Sequence, residues 1–71
     1  MKYILKIKGT DTIPDFVQIR DEKMTLIAYF RLSLIEIGLK KYGLINDIEG
    51  ITNILQQIPY GKITKYFSNN D

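Results

Sequence analysis

The chain has 71 residues, with ten Lys or Arg against eight Asp or Glu, and it contains neither Cys nor His. Those two absences exclude disulfides, thiolate or imidazole metal ligands, Cys nucleophiles, and Ser or Thr nucleophiles activated by His. A content of 45% hydrophobic and 25% charged residues is that of a folded globular domain, and a net charge of +2 is too small to select a partner.

One domain is expected over residues 1–71. A chain this short buries only ~60% of the surface that it exposes when unfolded. With disulfides and thiolate metal sites excluded, oligomerisation is the reinforcement left open to it.

Residues 2–8, KYILKIK, alternate as a strand does. Tyr3, Leu5 and Ile7 are expected on one face and Lys2, Lys6 and Lys8 on the other, with Ile4 interrupting the lysine side. The interleaved lysines also distinguish this stretch from a signal peptide, whose apolar segment is continuous. No run reaches membrane-spanning length, and a cytoplasmic location is the expectation. Residues 9–15, GTDTIPD, read as a loop. FVQIR (16–20) and MTLIAYFR (24–31) flank DEK (21–23), which predicts a hairpin. In its second arm Met24, Leu26, Ala28 and Phe30 should face one way, and Thr25, Ile27, Tyr29 and Arg31 the other.

Two helices follow. Ser33 stands three residues before Glu36, the spacing of a capping box, and Asn46 stands three before Glu49. These starts predict helices over 34–42 and 47–58. Gly43 is placed to end the first in left-handed geometry, and Pro59 to stop the second at Ile58. Ile48, Ile51, Leu55 and Ile58 form one apolar stripe at three- and four-residue spacing. Gly38 and Gly50, unfavourable inside helices, are expected to mark close approach of another backbone, the sheet in the case of Gly38. KITKYF (62–67) is a last strand, and residues 68–71 are expected to fray. The fold class is thus α+β: a small, mainly antiparallel sheet with two helices on one face, in the order β-β-β-α-α-β.

Chemistry is sparse. Asp11, Asp15, Asp21 and Glu22 are the acids available as acid–base pairs, and all fall in expected loops, where solvated turn formers are the rule. Asp11 and Asp15 lack the ligand spacing of a calcium loop, and no glycine pattern builds a phosphate or dinucleotide loop. No catalytic residue, cofactor or metal is therefore assigned.

Two surfaces remain. Ile4, Phe16, Ile27 and Tyr29 are expected on the sheet face that two helices leave uncovered, which suggests an interface with a second copy or with another protein. Lys2, Lys6, Lys8, Lys62 and Lys65 with Tyr66 would instead form a basic, aromatic patch for nucleic acid if the terminal strands are neighbours. The leading expectation is a non-catalytic interaction module, homodimeric, with nucleic-acid binding as the alternative. The stretch IPYGKITKY (58–66) also resembles a segment of the alkylguanine-DNA alkyltransferase family and its alkyltransferase-like relatives. The resemblance implies a DNA-binding role with Tyr66 beside a flipped nucleotide. Alkyl transfer itself has no nucleophile here, since the chain has no Cys.

Overall fold

The computed structural model describes residues 1–68. Strands β1 (Lys2–Ile7), β2 (Phe16–Arg20) and β3 (Leu26–Arg31) are followed by helices α1 (Ile35–Lys41) and α2 (Ile48–Gln57) and by strand β4 (Thr64–Tyr66). The expected element order, β-β-β-α-α-β, is the observed one. The strands form one antiparallel sheet in the order β3-β2-β1-β4, so the two terminal strands are neighbours. Both helices lie on one face of it. The frayed tail expected at 68–71 lies, beyond Ser68, outside the described residues.

The core is built from Ile4 of β1, Val17 and Ile19 of β2, and Ala28 and Phe30 of β3, packed against Leu39 of α1 and Ile51, Leu55 and Ile58 of the α2 stripe. In the register Ile4 lies opposite Ile19, Ile19 opposite Ala28, and Val17 opposite Phe30, which puts all five on one face. The α2 stripe therefore packs as its spacing predicts.

The helix ends show which local signals operate. Tyr42 caps α1 and Gly43 follows at φ +75°. The Leu44 N–H donates to the Leu39 carbonyl at 2.8 Å, and the Gly43 N–H to the Lys40 carbonyl at 3.3 Å. This paired closure is the Schellman motif, and Leu44 packs on the core beside it. Helix α2 ends at Gln57, with Ile58 already extended (ψ 148°) ahead of Pro59.

The helix starts differ from expectation. A 3-10 turn, Leu32–Leu34, contains Ser33, and another, Ile45–Asp47, contains Asn46. The residues at the caps of α1 and α2 are Leu34 and Asp47, and neither makes a side-chain cap bond. The 3-10 turns take up the chain at the position where a Ser or Asn cap would have to be extended.

Gly38 is buried against β3: a Cβ there would overlap the Phe30 ring, which is the close contact with the sheet that its position suggested. Gly50 likewise lies under the end of the Tyr66 side chain.

Candidate contact surface

Register decides what each face of the sheet carries. Ile4 is fully buried in the core, and Lys2 and Lys6 flank it at two-residue spacing on the same strand. The lysine side of β1 is therefore the helix-covered side. Tyr3, Leu5 and Ile7 occupy the other face, the reverse of the phase that hydropathy suggested.

Each lysine on the covered side has a local partner. Lys2 Nζ lies 4.0 Å from an Asp47 carboxylate oxygen at the start of α2. Lys6 is buried, donates to the Leu55 carbonyl at 2.8 Å, and has its ammonium 4.5 Å from the centre of the Tyr60 ring. The Leu55 carbonyl is in the last turn of α2, where backbone acceptors lack helical partners and the dipole favours a cation. Lys8 is exposed, 5.9 Å from the same ring.

The IPYG turn is fixed to this spot. The Gly61 N–H donates to the Lys6 carbonyl at 2.8 Å, and the Tyr60 hydroxyl donates to Asp15 Oδ2 at 2.7 Å. The other Asp15 oxygen accepts from the Gly9 N–H at 2.7 Å. Those two bonds, Gly9 first, with Lys8 and Lys6 nearby, hold the Asp15 carboxyl below its ordinary pKa. The bond to Asp15 in turn raises the Tyr60 phenol above its ordinary value. Asp15 is thus a cross-link between loop and turn. Asp21 is a turn former: its carboxylate accepts from the Lys23 and Thr25 N–H groups, both at 2.9 Å. Asp11 and Glu22 are exposed.

The basic patch expected from sequence does not form. Lys6 is in the core, Lys2 faces α2, and Tyr66 packs on the core over Gly50, while Lys65 lies on the opposite face across from Tyr3. Lys62 is exposed in the turn before β4. Tyr66, the residue that the alkyltransferase likeness singles out, lies against Gly50.

The open face holds a different set. Tyr3, Leu5 and Ile7 of β1 lie opposite Arg20, Gln18 and Phe16 of β2, and these lie opposite Leu26, Tyr29 and Arg31 of β3. Phe16 and Tyr29 stack with ring centroids 4.7 Å apart and planes 10° from parallel. Tyr29 remains 44% exposed and Leu26 45%. Of the four residues expected here, Phe16 and Tyr29 are present and Ile4 is in the core. Ile27 packs at the core margin instead. A bulge explains its shift: Ile19 pairs with Ala28 and Arg20 with Leu26, so Ile27 is an extra residue that reverses the alternation of β3 below it. Leu26 takes the open-face position in its place. Sequence reading also missed Tyr3, Leu5 and Ile7, and the signal available for them was Ile4 itself, an isoleucine in the middle of the supposed polar side.

A groove of about 500 Å³ runs along the start of α2 between Asp47, Glu49, Asn53 and Tyr66. Its Asp47 is already paired with Lys2, and no group of three acidic residues capable of holding a metal occurs among the described residues. No helix among them is long and apolar enough to cross a membrane. Comparison with protein-family models, curated proteins and solved structures finds no match.

Proposed function

We propose that this chain is a non-catalytic interaction module, and that it makes contact through the open face of its sheet. The observation that carries the reading is the run across three adjacent strands of the half-buried Tyr3, Leu5, Ile7 and Phe16 and the exposed Leu26 and Tyr29. Large apolar and aromatic side chains at the centre of an open sheet contribute most when another surface removes them from water. The acids support the non-catalytic half of the reading. Asp15 and Asp21 are engaged by backbone and Tyr60 donors, and the remaining loop acids, Asp11 and Glu22, are exposed. We propose the cytoplasm as its compartment, the reading the composition favours.

A second copy is the simplest partner for such a face, and charge argues against it. The charged residues at open-face positions of the strands are Arg20, Arg31 and Lys65, all of one sign. Two copies laid face to face would bring all six cations into one contact without an acid between them, and like charges across an interface suppress association. The partner we favour is a different molecule, one that carries negative charge.

Leu5→Glu tests the surface, because Leu5 lies at its centre opposite Gln18 and outside the core. The variant should retain the fold by circular dichroism and lose the host components that the wild-type chain retains on an affinity resin. Retention of the same components by both proteins would place the contact elsewhere. Sedimentation at micromolar concentration should show a monomer, and a dimer abolished by Leu5→Glu would restore self-association.

A further inference from the structure

We propose that the open sheet face binds single-stranded nucleic acid, with Tyr3 and the Phe16–Tyr29 pair as base-stacking platforms and Arg20, Arg31 and Lys65 as phosphate contacts. The proposal names the partner of the surface described above and rests on that reading.

The register sorts these residues into two groups. At one end of the sheet Tyr3 of β1 stands directly between Lys65 of β4 and Arg20 of β2. Toward the other end Phe16 lies opposite Arg31 and stacks on Tyr29. Each group joins an aromatic surface to at least one cation. Tyr3 and Ile7, the β1 partner of Phe16, are four residues apart on β1, which separates the groups by about 13 Å. Leu5 and Gln18 fill the space between them.

The charged residues at the strand positions of this face are all cations. The open-face strand positions include no Asp or Glu, and among the described residues none of the three cations is in an ion pair. Arg20 is also held in place. Its guanidinium donates to the Met24 carbonyl at 3.0 Å and to Gln18 Oε1 at 3.3 Å, neutral acceptors that orient the group and leave its charge free to act. An acidic peptide would satisfy the cations and leave the rings without planar partners. A nucleotide brings a phosphate and a planar base together, and stacking on aromatics beside a cationic track is how single strands are held without sequence readout. This surface shares only Lys65 with the lysine patch suggested by sequence.

The test is fluorescence anisotropy of a labelled oligothymidylate titrated with the whole chain. Three phosphate contacts on a single strand predict binding that weakens about 20-fold between about 50 and 200 mM salt. At fixed salt Tyr3→Leu and Tyr29→Leu, which keep apolar side chains and remove the rings, should each weaken binding roughly 5- to 150-fold. Lys40→Gln, on exposed helix surface in α1, should leave it unchanged. Thermal melts of each variant separate lost binding from lost fold. Absence of binding at low salt, indifference to both ring deletions, or equal competition by polyglutamate would overturn the proposal. Amide chemical-shift mapping separates its failure from that of the underlying reading. Polyglutamate shifting Leu5, Gln18 and Tyr29 while the oligonucleotide does not bind would remove nucleic acid and leave the contact surface standing. An oligonucleotide that shifts only α1 and α2 would remove both.

Discussion

The Tyr60 hydroxyl donates to Asp15 Oδ2 at 2.7 Å, joining residues 45 apart in the chain. The bond ties the turn after α2 to the loop between β1 and β2, and it makes stability depend on pH at both ends of the scale. The Asp15 carboxyl is lowered from 3.8 by the Gly9 N–H, then by Tyr60, with Lys8 and Lys6 adding to the effect. A depressed carboxyl stabilises the fold above its unfolded value, and that contribution is lost as pH falls through the lower folded value. The Tyr60 phenol is raised from 10.0 by the same carboxylate. Its contribution is complete below the unfolded value and is lost as pH rises from there through the folded one. Urea midpoints measured against pH should therefore decline in acid and in alkali. Tyr60→Phe should remove its alkaline component and soften the acid decline without abolishing it, because the Gly9 bond remains. Asp15→Asn should remove its own acid component and soften the alkaline decline, because burial also raises the Tyr60 phenol. Profiles that superimpose on the wild type would show that the bond is absent in solution.

Lys6 supports the same turn from within the core. Its Nζ is the donor to the Leu55 carbonyl, and its own carbonyl accepts from Gly61. Lys6→Met keeps most of the stem and removes the donor, leaving a helix-end acceptor without its partner. The expected cost is about 1–3 kcal/mol. In a domain of this size each kcal/mol lowers the melting temperature by roughly 4–8 °C. Lys65→Met, at an exposed position, should fall within about 0.5 kcal/mol of wild type. Equal melting temperatures for the two variants would mean that Lys6 is solvated rather than bound to α2.

The elements were legible in sequence because their signals are local. Alternation, the Gly43 turn and the Pro59 stop each depend on a few consecutive residues, and all recur in the structure. The faces were less legible, because phase depends on pairing. Strand β1 is central, with β2 and β4 on either side, so the two sides of β1 both hold apolar residues and hydropathy alone does not distinguish them. Lysine compounded the ambiguity, since its long apolar stem crosses buried space while its ammonium reaches a carbonyl or carboxylate at the edge. The bulge at Ile27 has no sequence mark at all: it exists only in how β3 pairs with β2. Of the six apolar residues of the candidate surface, Phe16 and Tyr29 were therefore foreseen, and Tyr3, Leu5, Ile7 and Leu26 followed from register.

The helix starts give a prediction that reverses the sequence expectation. A lost N-cap typically costs ~1 kcal/mol. Neither Ser33 nor Asn46 makes such a bond, since each lies within a 3-10 turn and the cap positions fall to Leu34 and Asp47. Ser33→Ala and Asn46→Ala should each stay within about 0.5 kcal/mol of wild type in urea denaturation. A loss near 1 kcal/mol for either would show that its side chain caps the helix in solution.

Gly38 and Gly50 separate packing from helix propensity. Replacing an interior helix glycine with alanine favours the helix by ~1 kcal/mol when nothing obstructs the new methyl group. At Gly38 the methyl would overlap the base of the Phe30 side chain, which is fixed in the core between α1 and β3. Relief there requires α1 to move from the sheet, and overpacking of this kind costs about 1–3 kcal/mol. At Gly50 the methyl meets the far end of the Tyr66 side chain, chiefly its hydroxyl, beside a groove that Tyr66 lines. Gly38→Ala should therefore destabilise the chain by about 1–3 kcal/mol. Gly50→Ala should fall near neutral, its propensity gain of about 1 kcal/mol offset by the displaced tyrosine. Urea denaturation of the two variants checks the order, and a more stable Gly38→Ala would mean that α1 does not pack on β3 at this distance.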